Sequence, residues 1–264
     1  NSSYPLIVGI DTNWKAIDCG DFFSAGIKSD GTLWTWGYNN HWALGNGMAM
    51  DVNYPKQINS DTNWSKIYAG SAHCLAIKSN GTLWAWGHNA YAQLGIGGTF
   101  NSPIPVQVGL ETNWKSASAG FNHSLAKNNA ETNYGFGSNA TYQLLNTTPS
   151  SPSDSPRVLL LDTSWKSLNA GIYFTIGLKK NGSLYGWGFN LFGQLGNGTT
   201  IDSPIPSLIG QDSIWKDIAT GTNHCVALKK DGTLWSWGAN NSGQFGIGTN
   251  TNSLWPVQIG TDTN

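Results

Sequence analysis

Apolar and polar residues alternate in short runs along this chain. The clearest run, Leu33-Trp34-Thr35-Trp36, follows the polar stretch Ser29-Asp30-Gly31-Thr32. Alternation with period two is the signature of a half-buried strand, here with Leu33 and Thr35 on one face and Trp34 and Trp36 on the other. The run before the turn, Ala25-Gly26-Ile27-Lys28, is small and apolar. Asp-Gly between two such arms predicts a β-hairpin closed by a type I′ turn, which needs positive φ at both central residues. A small residue opposite a large ring suits closely stacked sheets.

The hairpin returns at Ser79 to Gly87, Lys180 to Gly188 and Lys230 to Gly238, with a worn copy from Asn129 to Gly137. A tryptophan opens each unit, and Trp14, Trp64, Trp114, Trp165 and Trp215 recur every 50 or 51 residues. A fixed period of that size means a propeller, solenoid or array. Each unit holds a short strand ending at Gly, the hairpin, a Gly-x-Asn turn, a Gln-Leu-Gly step, a variable loop and a Pro-led strand such as Pro105 to Val108. Four short strands without helical periodicity predict an all-β fold, a β-propeller of four-stranded antiparallel blades. One domain over 1–264 then contains repeats 14–63, 64–113, 114–164, 165–214 and 215–264. Residues 1–13 match the tail of a unit and read as the closing strand of a preceding repeat, which makes the chain a fragment of a longer array. The third unit departs most: Glu131 stands where Gly is expected, Asn133 replaces Leu, and Leu145 replaces the last Gly of Gln-Leu-Gly.

Charge narrows the partners. With 14 Lys and Arg against 15 Asp and Glu, the net charge is −1, so no basic field awaits a phosphate backbone or an anionic membrane surface. Nucleic acid is excluded as a partner on that ground. Membrane insertion is excluded because no apolar run approaches the roughly 20 residues of a spanning helix. Cys19 shares its slot with Ala69, Ala119, Ala170 and Thr220, while Cys74 and Cys225 share one with Ser24, Ser124 and Thr175. All three cysteines therefore read as small buried residues rather than a disulfide framework.

Gly70-Ser71-Ala72-His73, Asn80-Gly81-Thr82-Leu83-Trp84-Ala85-Trp86-Gly87-His88-Asn89 and Gln93-Leu94-Gly95 closely resemble the repeat of the regulator of chromosome condensation family. The resemblance runs through the whole chain and implies a β-propeller, usually of seven blades, so that the five visible repeats would be part of a seven-bladed ring. The Asp-Thr-Asn-Trp-Lys junctions look more like the secreted bacterial branch than the nuclear exchange factor. That branch implies a protein partner held on one propeller face, in a secreted or cell-surface setting. The exchange factor implies a wedge insertion and a basic tail, for which the regular spacing and the ends of this chain leave no place.

Repetition also separates scaffold from chemistry, since a catalytic group is needed once and a structural one in every blade. His73, His123 and His224 alternate with Phe23 and Phe174 in one slot, which argues for packing with one satisfied ring nitrogen rather than a metal site. The junction acids Asp11, Asp61, Glu111, Asp162, Asp212 and Asp262 recur and fit Asx-type turns. Asp18, Asp21, Asp51, Asp154, Asp202 and Asp217 do not recur and have no evident acid or base companion. No catalytic, cofactor or metal residues are therefore assigned, and a non-catalytic protein is expected. The candidate partner-binding rim is His41, Trp42, Tyr91, Tyr142 and Phe192, with Met48, Met50 and Phe100 in the next loop. Loops on a rigid scaffold are where binding resides, and exposed Trp and Tyr are typical anchors. A glycan stacked on the rings, an adhesin-like structural module and further blades of the same chain are the alternative occupants.

Overall fold

The computed structural model describes residues 7–145, 152–211 and 213–261 and folds them into five antiparallel sheets of four strands each. Blade 1 holds β1 (Trp14–Cys19), β2 (Phe23–Lys28), β3 (Leu33–Gly37) and β4 (Val52–Gln57). Blade 2 repeats this as β5 (Trp64–Ala69), β6 (His73–Lys78), β7 (Leu83–Gly87) and β8 (Ser102–Gln107). Blade 3 holds β9 (Trp114–Ala119), β10 (His123–Asn128), β11 (Asn133–Gly137) and β12 (Ser153–Leu160). Blade 4 is β13 (Trp165–Ala170), β14 (Phe174–Lys179), β15 (Leu184–Gly188) and β16 (Ser203–Ile209). Blade 5 is β17 (Trp215–Thr220), β18 (His224–Lys229), β19 (Leu234–Gly238) and β20 (Ser253–Ile259).

The protein is thus a five-bladed propeller, which corrects the expected seven-bladed ring. Each of the five Trp-led units closes on itself as one sheet, in strand order β1-β2-β3-β4. The closing strand expected from residues 1–13 lies largely outside the described residues, which begin at residue 7, and residues 7–13 join no sheet. Blades meet in chain order, through β1 on β5, β5 on β9, β9 on β13 and β13 on β17. First strands therefore line the axis.

The hairpin forms with the expected alternation, but its turn differs from the predicted type I′. Gly31 has φ +79° whereas Asp30 stays on the negative side, and Gly31 N–H donates to Lys28 O at 2.9 Å. That is a type I turn followed by a left-handed bulge residue. A Cβ on Gly31 would lie 2.0 Å from Thr62 O, so this glycine is required by space as well as by φ. Asp30 instead works through its side chain: Oδ1 accepts from Thr32 N–H and Oγ1–H, and Thr32 Oγ1 accepts from Trp34 Nε1–H at 2.8 Å.

The tryptophans stack the blades. The sheet face with Trp64 and Trp86 packs on the preceding face with Phe23, Ala25, Ile27 and Leu33, in one buried apolar cluster. Within a sheet, the opening Trp lies over a small residue: a Cβ on Gly177 would meet Trp165 at 2.4 Å. Between opening and hairpin aromatics sits a lysine. Lys28 Nζ is 3.7 Å from the Trp34 ring centre and 5.1 Å from that of Trp14, and Lys78, Lys179 and Lys229 repeat the arrangement. The recurring acids serve these lysines: Asp11, Asp61 and Asp162 pair with Lys28, Lys78 and Lys179 at 2.9, 2.7 and 3.1 Å. Asp162 also accepts from Ser164 N–H, so the Asx reading holds there alongside the ion pair. Cys74 and Cys225 are buried as expected, but Cys19 is exposed.

Apolar clusters join blades 1 and 2, blades 2 and 3, and blades 4 and 5. Between blades 3 and 4 the equivalent positions are polar: Lys127 stands where Ile27, Ile77 and Leu178 stand elsewhere, and Asn133 stands for Leu. Both are buried beside a cavity of about 90 Å³ that Ser167 and Asn169 also line. Lys127 Nζ donates to Trp165 O at 2.6 Å and pairs with Glu131 at 2.5 Å. Glu131 occupies the glycine slot with φ +64°, and Lys115 and Lys180 also reach its carboxylate. These three lysines hold its pKa down at about 2. Glu131→Ala leaves the buried Lys127 ammonium without its carboxylate and is expected to cost about 1–3 kcal/mol in urea unfolding. The triple change Lys127→Ile, Glu131→Gly and Asn133→Leu, which restores the apolar seam, is expected to raise Tm above that of the natural chain.

Candidate loop-face binding site

Each β1–β2-type turn and each β3–β4-type loop opens on the same face of the propeller, while the Asp-Gly and Asn-Gly turns lie on the other. Around the axis, Gly20, Asp21, Ser71, Phe121, Ile172 and Thr222 rim a shallow mouth of about 200 Å³. The longer loops lie outside it. A buried asparagine organises each of them. Asn39 Oδ1 accepts from Leu44 N–H at 2.9 Å, while Nδ2 donates to Met48 O and Met50 O at 2.6 and 3.2 Å. Asn89 does the same with Leu94 N–H, Gly98 O and Phe100 O. Tying down these carbonyls leaves the side chains of the loop tips facing outward: Met50 is 74% exposed and Phe100 88%.

Of the non-recurring acids, Asp51 and Asp202 accept from the backbone N–H of Asn39 and Asn190, each at 2.8 Å, and Asn101 and Asn252 fill the same role elsewhere. They are scaffold. Asp18 accepts from Ala69 N–H across the first seam, and its burial raises its pKa.

Of the recurring histidines, His73 and His123 are buried packing groups and His224 is half-buried. Ser124 Oγ–H donates to Gln93 O at 2.6 Å, so the 2.9 Å contact between Ser124 Oγ and His73 Nε2 has the histidine as donor. Thr175 fixes His123 in the same way, donating to Gln143 O and receiving from Nε2 at 3.2 Å. Each Nδ1 then has no partner among the described residues. Burial depresses both pKa values to about 3. Among the described residues no group of three or more His, Cys, Asp or Glu side chains is placed to hold a metal ion.

All the predicted rim residues lie on the loop face, but they do not converge on one point. His41 stacks on His88 with ring centres 4.4 Å apart, and Tyr91 meets His88 edge-on at 6.1 Å. Trp42 is 38% exposed and follows His41 in a second left-handed conformation, φ +60° after +57°. The left-handed φ of Trp42 recurs at the equivalent Ala92, Tyr142, Gly193 and Gly243, so it belongs to the blade architecture, whereas that of His41 has no counterpart. Phe192 is half-buried beside Phe189, and Tyr142 is half-buried at φ +67°. Met48, Met50 and Phe100 stand outermost.

Sequence reasoning missed as many aromatics as it named. Phe22, Tyr38, His88, Phe121, Tyr173 and Phe189 share the face; His88 joins His41 and Tyr91, and the other five form two groups. Phe22 meets Tyr38 at 6.2 Å, and Tyr173 bridges Phe121 and Phe189 at 5.5 and 6.2 Å. Their signal was present. They fill the variable positions inside Gly-x-x-His and Gly-x-Asn, motifs otherwise read for their fixed letters alone.

The face also differs from the rest of the molecule in charge. Not one of the 14 Lys and Arg residues lies in its turns or loops, since all stand on strands or beside the opposite turns. Its chemistry is that of Tyr, Trp, Phe, His, Asn, Ser and Gly with a few carboxylates.

Stability should report the buried histidines. An unfolded histidine titrates near 6.5 and the folded ones at about 3, so the unfolded chain binds more protons between those values. Stability is complete above about pH 6.5 and falls as pH drops, by about 2 kcal/mol per histidine at pH 5. Urea unfolding at pH 7 and pH 5 checks this. His73→Phe together with His123→Phe, the residue that blades 1 and 4 use, is expected to remove most of the difference.

The profile described as Regulator of chromosome condensation (RCC1) repeat matches residues 30–77, 80–126, 181–228 and 231–264. A second profile of the same repeat matches 14–41, 64–93, 165–194 and 215–244. No curated protein matches by sequence. Among solved structures, human WBSCR16 is similar at 21% identity and TM-score 0.83, over 94% of this chain and 67% of that one. Yeast RCC1 (Prp20) bound to Kap60 is similar at 22% identity and TM-score 0.82, over 91% of this chain and 60% of that one. Prp20p from Saccharomyces cerevisiae, described with its binding properties to Gsp1p and histones, is similar at 21% identity and TM-score 0.82, over 91% and 62%. The chain thus spans about three fifths to two thirds of the length of these proteins, and at such identities the likeness concerns the fold.

Proposed function

Because this chain belongs to the regulator of chromosome condensation repeat family, whose profile matches well over half of it, we propose that it is a non-catalytic binding propeller that holds a protein partner on its loop face. The observation that carries this reading is the concentration of exposed rings and apolar tips on one face whose turns and loops contain no lysine or arginine, the one cation among the described residues that reaches a tip being Lys56, from β4 to Met48 Sδ at 3.3 Å. Tyr, Trp, Ser, Gly and Asn are the residues of adaptable protein-binding surfaces, where rigid rings supply contact area at low entropic cost. The buried asparagines hold the tips before any partner arrives, so less ordering accompanies association. The fold is compatible with this role: yeast Prp20p, with the same architecture, is described as binding Gsp1p and histones. The secreted or cell-surface setting is part of the proposal and is supported by the Trp-rich junctions and the low charge content.

The test compares three forms of the protein as bait in extracts and culture medium of the source cells. The natural chain and Lys66→Ser, changed on a strand outside the face, should retain the same protein. The double change Trp42→Ser and Phe100→Ser should lose at least about tenfold of it, since interface aromatics contribute on the order of 2 kcal/mol each. Equal retention by all three forms, or saturable binding on a glycan array without protein capture, would overturn the reading.

A further inference from the structure

On the loop face, a cleft of about 250 Å³ opens between blades 1 and 2. Its walls are the rings of Phe22, Tyr38, His41, His88 and Phe121, its floor includes Phe23 and Ala43, and Asp21 stands on its axial side. We propose that this cleft receives a cationic side chain, lysine or arginine, of the protein partner. The inference rests on the loop face being the binding surface and names the chemistry that one part of it selects.

Four observations converge. First, five aromatic rings wall one space, with Phe22 and Tyr38 edge-to-face at 86° and His41 and His88 tilted at 41°. Rings arranged around one space attract a cation through their quadrupoles, most strongly where water is displaced. Second, the cleft has one carboxylate, and it is fixed in place: Asp21 N–H donates to Ser71 O at 3.3 Å, while Ser71 Oγ–H donates to Asp21 Oδ2. Third, His88 adds no positive charge, because Gln93 sets its state. Tyr91 N–H donates to Gln93 Oε1 at 3.0 Å, which orients the amide so that Nε2–H donates to His88 Nδ1 at 2.9 Å. A ring that accepts at Nδ1 carries its proton on Nε2 and is neutral. Desolvation and the neighbouring His41 both favour that form. Fourth, no lysine or arginine of this face competes for the cleft.

Repetition supports the assignment independently. Asp21 has Ser71, Phe121, Ile172 and Thr222 as counterparts, Phe22 has Ala72, Asn122, Tyr173 and Asn223, and His88 has Tyr38, Ser138, Phe189 and Ala239. Nothing in the blade architecture calls for a carboxylate or a histidine in these slots. Their combination occurs at one junction.

The experiment follows the ring signals of His41 and His88 by NMR in the full chain during titration with three short blocked peptides, Gly-Lys-Gly, Gly-Arg-Gly and Gly-norleucine-Gly. A lysine or arginine peptide should shift both signals saturably with Kd in the millimolar range, and norleucine, its neutral counterpart, should bind at least about fivefold more weakly. Asp21→Asn and Phe22→Leu, both at exposed positions, should each weaken the cationic peptide several-fold, whereas Lys66→Ser, on a strand outside the face, should leave it unchanged. Norleucine binding equal to lysine, insensitivity to Asp21→Asn, or no shift up to about 50 mM would overturn the proposal. Should partner capture be lost with Trp42→Ser and Phe100→Ser but persist with Asp21→Asn and Phe22→Leu, the binding face stands and the cleft assignment falls.

Discussion

One carbonyl in each of blades 1 to 4 carries the junction to the next. Ala43 O accepts from Trp86 Nε1–H at 3.0 Å, and Gln143 O and Gln194 O accept from Trp187 and Trp237 at the same distance. A buried indole contributes a large apolar area, but its N–H must find an acceptor or the burial is offset by desolvation. The same carbonyl takes a second donor from the next blade: Thr175 Oγ1–H at Gln143, and the weak thiol donors Cys74 and Cys225 at Ala43 and Gln194. In blade 3, where Phe136 replaces the tryptophan, Ser124 Oγ–H alone serves Gln93 O. This explains why serine, threonine and cysteine interchange in that slot, which size alone does not.

The accepting carbonyls belong to the loops that carry the rim. The hydrogen bonds that join the blades therefore also fix the backbone from which the aromatic face projects. Fixed slots, namely the asparagine hub, the capping Asp or Asn and the Gln amide, take their identities from these hydrogen bonds. Positions between them are free to vary, and the rings and carboxylates that could recognise a partner have accumulated there.

The sequence made the architecture legible because spacing and alternation are one-dimensional signals. The five tryptophans, the hairpins and the Pro-led strands each fell where the period placed them. Less local features were not legible. The left-handed residue of the hairpin is confined to Gly31 because Thr62 O crowds it from the neighbouring junction, a contact no pattern announces. The pairing of Asp61 with Lys78 spans a sheet, so the acids looked like turn residues alone. Phe22 and Tyr38 went unnoticed because they sit beside fixed letters that drew the reading elsewhere. The seven-bladed ring was carried over from resemblance and from the match of residues 1–13 to the tail of a repeat, whereas the described residues form five sheets.

The third blade's substitutions bear on more than local packing. Each side chain there has a partner, so the seam between blades 3 and 4 is satisfied electrostatically, but it interrupts the run of apolar burial that otherwise passes from blade to blade. In repeat architectures cooperativity is transmitted through nearest-neighbour interfaces, and a polar interface transmits less of it. By that principle blades 1 to 3 and blades 4 and 5 would open as two units with separate free energies, in the manner of foldons. The two aromatic groups on the loop face divide differently: one lies wholly on the first unit, while the other, from Phe121 to Phe189, straddles the boundary. Local opening at that boundary would disperse the second group and leave the first intact, so the two halves of the face differ in how long they persist as binding surfaces.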